Sequence, residues 1–404
     1  MDTEALKTAL AADDADRVRA LLHRDPQLKA LIDEPVGPFD SPAIVNVRSR
    51  EMLDALLEAG ADINARSRWW AGGFGLLDSA SPELAAYAIE RGASVDAHAA
   101  ARLGLLDRLR ELVSLDPTVV HARGGDGQTP LHFARTTDVA RDLLECGADI
   151  DARDVDHEST PAQHMVKERQ DVARYLVSRG CRTDLLMASA LGDLDLARRH
   201  LEADPRCIRM RVNAEWFPMG DHRAGGTIYQ WTLGFHVSAH QAARTFGHDD
   251  VLALLMDHTP VEARLIDACW MADEPTAEAI RREHPGTVET LSEADRREVA
   301  HAARNNQSDA VRLFLECGWP VDARGQHHAT PLHWAAFHGN AGMTATILRF
   351  NPPLEATDAD FNGTPLGWAT HGAEHGWYRR TGDYAATSAL LIGAGARRAD
   401  ATSS

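Results

Sequence analysis

The pattern of apolar and polar positions along the chain predicts short amphipathic helices that recur at a regular spacing. Stretches such as DVARDLLECG (138–147) and AVRLFLECG (310–318) place apolar residues three and four positions apart and end at a glycine. That spacing gives a helix one apolar face. A glycine directly after the last turn favours a left-handed helix end. The pattern therefore predicts a chain of many short helices that bury one face each.

Two signatures recur with these helices. The glycine-turn signature occurs as EAGADINAR (58–66), ERGASVDAH (90–98), ECGADIDAR (145–153) and ECGWPVDAR (316–324). The helix-opening signature occurs as TPLHFA (129–134), STPAQHM (159–165), TPLHWAA (330–336) and TPLGWA (364–369). A threonine suits the N-cap of a helix, and a proline fits the first helical position. Thr330 and Thr364 are 34 residues apart, and Thr129 and Thr160 are 31 apart.

A period in the low thirties with T-P-L-H and G-A-D signatures resembles the ankyrin repeat, as in stand-alone arrays of bacterial type. The resemblance covers essentially the whole chain and implies an all-α solenoid of about twelve helix-turn-helix units with short β-turn loops. It implies one solenoid over 1–404, with an N-terminal cap at 1–33 and a modified C-terminal repeat at 364–398. It also implies that the histidine of the T-P-L-H position bridges backbone groups of adjacent loops. That position is assigned to His132, His240 and His333.

Two segments depart from the period. Residues 212–236 are rich in aromatic residues around Gly225 and Gly226, which predicts an enlarged β-hairpin finger in place of an ordinary loop. In the last repeat, an insertion at 373–383 separates the two helices. Gly372 and Gly376 argue against one helix continuing through this region. Insertions in solenoids often emerge on the binding face.

The resemblance also fixes which residues face the concave groove, namely those just after T-P-L-H and just after the following small pair. In the C-terminal half this rule selects Trp270, His301, Trp334, Phe337, His338, Trp368 and His371. The finger is expected to present Trp216, Tyr229 and Trp231 opposite them, with Trp377 at the rim. Such a groove is either a ligand site or a local core under the finger.

Candidate acid/base groups near this groove are His301, His371, His375, Asp383 and Tyr229. The spacing of His371 and His375 suits two metal ligands on one helix face, but no carboxylate or cysteine accompanies them at zinc-site spacing. We therefore expect no metal and no cofactor. Recognised nucleophile, zinc-protease and phosphate-binding motifs do not occur in the sequence.

Composition narrows the functional classes. The formal net charge of −18 disfavours a nucleic-acid partner. The N-terminus lacks the pattern of a signal peptide, and no apolar run is long enough to span a membrane. The five cysteines form no C-x-x-C pair, which favours buried, reduced thiols in a cytoplasmic protein.

Two functional hypotheses follow from these patterns. The first is a recognition protein that binds a protein or peptide partner on its concave face. The second is a small-molecule binder or an enzyme with hydrolase- or isomerase-like acid/base chemistry. Its pocket would lie between the C-terminal repeats and the 212–236 finger.

Overall fold

The structure is a computed structural model that describes residues 3–397. The chain divides into two compact units. The first extends to Met187 and includes Asn213–Leu233, and the second comprises Ala188–Val212 and the chain from Gly234 onwards. The single solenoid predicted over 1–404 stays a prediction, as does the count of twelve repeats. Residues 1, 2 and 398, which belong to the predicted terminal segments, lie outside the described part.

The regular secondary structure of the described residues consists of helices, without strands. The helices up to the finger are α1 (Thr3–Ala11), α2 (Ala15–Arg24), α3 (Pro26–Ala30), α4 (Arg50–Glu58), α5 (Pro82–Glu90), α6 (Ala97–Leu103), α7 (Leu106–Leu115), α8 (Thr137–Glu145), α9 (Pro161–Met165), α10 (Gln170–Ser178), α11 (Leu185–Leu191), α12 (Leu194–Ala203) and α13 (Tyr229–Thr232). Those that follow are α14 (Ala239–Thr245), α15 (Asp249–His258), α16 (Val261–Trp270), α17 (Glu274–Glu283), α18 (Glu293–Arg296), α19 (Glu298–Arg304), α20 (Ser308–Glu316), α21 (Pro331–Phe337), α22 (Ala341–Leu348), α23 (Pro365–His375) and α24 (Tyr384–Gly393).

Short 3-10 turns fill several of the loops. They are Pro38–Asp40, Ala43–Asn46, Leu76–Asp78, Pro117–His121, Gly125–Gly127, Pro130–Phe133, Pro205–Arg209, Val288–Thr290 and Gln326–His328. Each unit packs its helices around a buried core. Leu53 and Leu56 belong to the core of the first unit, and Phe314 and Ile347 to that of the second.

Where the sequence has T-P-L-H, the histidine side chain caps the start of the helix and bonds to the next loop. The backbone N–H of Thr330 donates to His333 Nδ1 (3.2 Å), and His333 Nε2–H donates to the carbonyl oxygen of Gly363 (3.1 Å). His132 makes the equivalent bonds to Thr129 (3.1 Å) and Ser159 (3.2 Å). The bridging role implied by the resemblance is confirmed at these two positions.

The assignment of His240 to that position is wrong by one residue. The side chain that closes this helix opening is Gln241, whose Oε1 accepts the backbone N–H of Ser238 (2.9 Å). His240 is fully buried, and its Nε2 lies 2.7 Å from the hydroxyl of Thr259. Ser238 replaces the usual threonine and no proline follows it, so the sequence alone did not fix the register.

The finger is not a β-hairpin. Residues 213–233 form turns and the single helical turn α13, and at their base only an isolated antiparallel bridge joins Arg211 to Ser238. Asn213 explains part of this difference, because its side-chain oxygen accepts the N–H groups of Glu215 and Trp216 and curls the chain (both 3.1 Å). Pairing in two strands would require that backbone to be extended.

Two further predictions concern the burial of the cysteines and membrane-spanning helices. Of the cysteines, Cys146 is exposed and the other four are buried, so the expected burial is wrong at Cys146. Across residues 3–397, no helix combines the length and the apolar character that crossing a bilayer requires.

Candidate functional site

The first helices of successive C-terminal repeats place the predicted groove residues side by side. In the second unit α21 packs between α19 and α23. Because equivalent positions of stacked repeats face the same way, His301, Trp334 and Trp368 form one row and Arg304, Phe337 and His371 the next.

Four aromatic rings of this face form one packed group, which we call the aromatic cluster: Trp334, Phe337, Trp368 and Trp377. The ring centroids of Trp334 and Trp368 are 5.0 Å apart in an edge-to-face arrangement. Trp377 lies stacked 5.9 Å from Trp334 and edge-on 5.5 Å from Phe337. Trp334 and Trp368 are buried, whereas Trp377 is 58% exposed. The cluster therefore has a rigid, buried base and one indole at the surface.

Polar atoms at the base of this cluster lack partners. Trp334 Nε1 and His338 Nδ1 are buried without a hydrogen bond among the described residues. His338 Nε2–H donates to the carbonyl oxygen of Arg304 (2.9 Å), which leaves Nδ1 as an acceptor. Burial lowers the pKa of His338 to about 4, so its ring is neutral at physiological pH. An unpaired buried donor or acceptor costs roughly 1–3 kcal/mol.

Arg304 lies against the cluster as a cation without a counter-ion. Its guanidinium carbon is 3.7 Å from the ring centroid of Phe235 and 5.3 Å from that of Trp377. Its Nε donates to Gln326 Oε1 (2.6 Å), and no ion pair to it is found within residues 3–397. Burial lowers the pKa of Arg304 to about 10, and the group stays charged near neutral pH. A partly desolvated guanidinium of this kind is a natural partner for a carboxylate.

One stretch of the chain matches a known family. Residues 126–155 match the family model of the ankyrin repeat. The chain therefore contains an ankyrin repeat. The matched stretch contains the helix opening at Thr129 and the glycine turn at Gly147.

Curated relatives match only short parts of this ankyrin-repeat protein. A stretch of 97 residues is 31% identical to the palmitoyltransferase Hip14 of Drosophila melanogaster, covering 24% of this chain and 13% of that protein. A stretch of 49 residues is 51% identical to the serine/threonine-protein kinase VIK of Arabidopsis thaliana, covering 11% of each. Among solved structures, the human ASB11 ankyrin repeat domain aligns with 75% of this chain and 99% of its own length, at 17% identity and a TM-score of 0.29.

Two other predicted groove residues of the ankyrin-repeat protein are withdrawn from the surface: Trp270 is buried and His301 is half-buried. Trp270 is 5% exposed, and its indole N–H donates to Glu298 Oε2 (2.7 Å), so it does not wall a groove. His301 stacks on His236 with ring centroids 3.9 Å apart. Burial, followed by the nearby His236, lowers the pKa of His301 to about 3.

The acid/base candidates of the last repeat are on the surface or have structural roles. Helix α23 runs unbroken from Pro365 to His375, so the predicted interruption at Gly372 is wrong. The exposed rings of His371 and His375 lie 4.8 Å apart. Asp383 caps α24, since its Oδ1 accepts the N–H of Ala386 (2.9 Å).

The finger residues belong to the first unit. Tyr229 is fully buried and donates its hydroxyl to Asp184 Oδ2 (2.9 Å), and burial raises its pKa well above the usual value. Trp216 is half-buried, whereas Trp231 is 68% exposed. A cavity of about 270 Å³ lies between the finger and the repeat loops, where Phe217, Gln163 and Arg182 contribute to its lining.

The sequence register places Arg304 in the same column as Phe337 and His371, although Arg304 was not among the predicted site residues. A second group of residues was not predicted at all. Asp126, Asp156 and His157 come from consecutive repeat loops of the first unit and also come together. The sequence pattern that could have revealed them is their position in successive repeat loops, and not a spacing along one helix.

Proposed function

We propose that this ankyrin-repeat protein binds a protein or peptide partner on the face formed by α19, α21 and α23. Ankyrin repeats generally mediate protein–protein interaction. The observation that carries the proposal is the exposed Trp377 indole, held on a buried aromatic base beside Arg304, which forms no ion pair with the described residues. Tryptophan and arginine are the residue types most enriched at binding hot spots.

The chemistry of this face specifies the partner segment. Arg304 is expected to bind a carboxylate of the partner, because a guanidinium can bind a carboxylate through two parallel hydrogen bonds. The ring of Trp377 is expected to pack against an apolar side chain next to that carboxylate. The proposed partner is therefore an extended segment in which an acidic residue adjoins an apolar one.

The alternative of acid/base catalysis has weaker support. His301 is half-buried in a stack with His236, and Asp383 holds a helix terminus. Tyr229 is fully buried and donates its hydroxyl to the carboxylate of Asp184. We therefore favour recognition over catalysis.

Selection from a displayed peptide library tests this function. Peptides enriched on the intact protein are expected to contain an acidic residue beside an apolar one. Trp377→Ala and Arg304→Gln should each weaken their binding at least tenfold, measured by fluorescence anisotropy. Trp231→Ala removes an equally exposed indole from the first unit and serves as the matched control. Binding that is equal for all three variants would refute the proposed face.

A further inference from the structure

Two consecutive repeat loops of the first unit bring a histidine and two aspartates together. The backbone carbonyl oxygen of Asp126 accepts the N–H groups of Val155 (2.8 Å) and Asp156 (3.2 Å), which ties the tip of one loop to the next. The finger lies against the same place, because Gly225 N–H donates to the carbonyl oxygen of Asp156 (2.9 Å). The backbone thus fixes the positions of three side chains: Asp126, Asp156 and His157.

Their ligand atoms converge on one point. His157 Nε2 lies 3.7 Å from Asp156 Oδ2 and 3.9 Å from Asp126 Oδ2. All three atoms lie within 4.8 Å of one another. The side chains of His157 and Asp156 are only 10% and 9% exposed. Donor atoms around a zinc ion at about 2.0–2.2 Å are themselves roughly 3–4 Å apart, so this spacing suits a bound cation.

The tautomer of His157 adds an independent observation. Its Nδ1 lies 2.8 Å from the carbonyl oxygen of Gly226, a contact that requires Nδ1 to carry the proton. The second ring nitrogen, Nε2, faces the two carboxylates, and the distances of 3.7 and 3.9 Å are too long for hydrogen bonds. The ring is therefore held by Gly226 on one side, while Nε2 on the other side makes no hydrogen bond to either carboxylate.

Hydrogen bonds from neighbouring residues orient each of the three side chains. The indole N–H of Trp69 donates to Asp126 Oδ1 (3.0 Å), and Gly225 N–H also reaches Asp156 Oδ1 (3.2 Å). His157 is held by Gly226, as described. Metal-binding histidines and carboxylates are commonly fixed in this way by a second layer of hydrogen bonds.

In a neighbouring group of similar composition, some of the possible ligand atoms are already hydrogen-bonded. His132, Asp154 and His164 also lie close together. Both ring nitrogens of His132 are already bonded within the helix opening and to the next loop. Asp154 Oδ1 accepts the N–H of Ser159 (2.6 Å). Only Asp154 Oδ2 and His164 Nε2, which lie 3.3 Å apart, remain without a hydrogen bond, so this group offers two unbonded ligand atoms and not three.

We propose that Asp126, Asp156 and His157 bind a divalent metal ion of the zinc class. One imidazole and two carboxylates suit zinc, and water would complete its coordination. The ion would join two repeat loops and, through His157 and Gly226, the finger. Its role would be to hold the finger in place.

Zinc titration of the intact, chelator-treated protein tests the site. Calorimetry with zinc chloride should show one ion bound per chain. Asp126→Asn and Asp156→Asn keep the size of the side chain and should each weaken binding at least tenfold. Asp360→Asn is the matched control, because Asp360 pairs with His327 at a repeat loop of the second unit without a second carboxylate (2.6 Å). Its zinc affinity should equal that of the wild type.

Cobalt absorption separates this site from the free cysteines. Cobalt(II) bound to the predicted ligands should give ligand-field bands without a thiolate charge-transfer band, and circular dichroism should show that each variant is folded. Absence of zinc binding by the wild type would overturn the proposal. So would a thiolate band, or folded aspartate variants that bind zinc as tightly as the wild type.

Discussion

The residue that closes each helix opening shows how far a motif predicts a contact. Where the sequence reads T-P-L-H, the histidine accepts from the threonine and donates to the next loop, as the motif predicts. Where Gly367 stands in place of the histidine, the hydroxyl of Thr364 instead caps the helix by accepting the N–H of Gly367 (3.3 Å). His240 was misassigned because Gln241 performs the same closure one position later, and glutamine is not part of the motif.

Replacement of His333 by alanine should destabilise the second unit. The change removes the acceptor for Thr330 N–H and the donor to Gly363, and it leaves a cavity in a fully buried place. We expect the free energy of unfolding to fall by about 2–3 kcal/mol. Urea unfolding followed by tryptophan fluorescence measures this. The exposed His284→Ala is the control, and equal stability of the two variants would contradict the account.

Helix α23 shows why an element boundary could not be read from composition. Two glycines within a few residues predict a helix end, yet this helix continues to His375. Gly372 is needed where α23 crosses α21, because a Cβ there would collide with the carbonyl oxygen of Phe337. A glycine that permits close approach and one that breaks a helix look the same in a single sequence.

Replacing two glycines of this helix by alanine should have opposite effects on the stability of the second unit. Gly372→Ala should destabilise the second unit by about 1–3 kcal/mol, because α21 and α23 must separate. Gly367→Ala should stabilise it by about 0.5–1 kcal/mol, since its Cβ would meet only Thr364 Oγ1 at 3.6 Å. Thermal unfolding of both variants checks the pair. The same sign of change in both would show that the helices do not pack closely at Gly372.

At the scale of the whole molecule, the period predicted the repeats and much of the aromatic cluster. Trp334, Phe337 and Trp368 follow from their register alone. Trp377 was expected at the rim of the groove, but its stacking on Trp334 could not be predicted, because Trp377 comes from an insertion without a template. The loops of Asp126 and His157 were missed for another reason: their convergence depends on backbone bonds between repeats, which leave no pattern in one repeat.

Buried neutral histidines should make the protein sensitive to acid. Burial lowers the pKa of His132 to about 3 and the pKa of His333 to about 4. Unfolding restores their ordinary pKa near 6.5, so below pH 6.5 the unfolded chain binds protons that the folded chain does not. Stability should therefore fall by up to about 1.4 kcal/mol per pH unit for each histidine as the pH decreases from 6.5 towards 4. Urea unfolding at pH 7, 6 and 5 measures this, and a constant stability would contradict it.

The division of the chain has a consequence for its synthesis. The first unit extends to Met187, is interrupted by Ala188–Val212, and is completed only by Asn213–Leu233. A ribosome must therefore translate as far as Leu233 before the first unit has all of its parts, although domains generally fold as units when they emerge. A gene divided within codons 188–212 would encode two fragments, and neither would contain a whole unit.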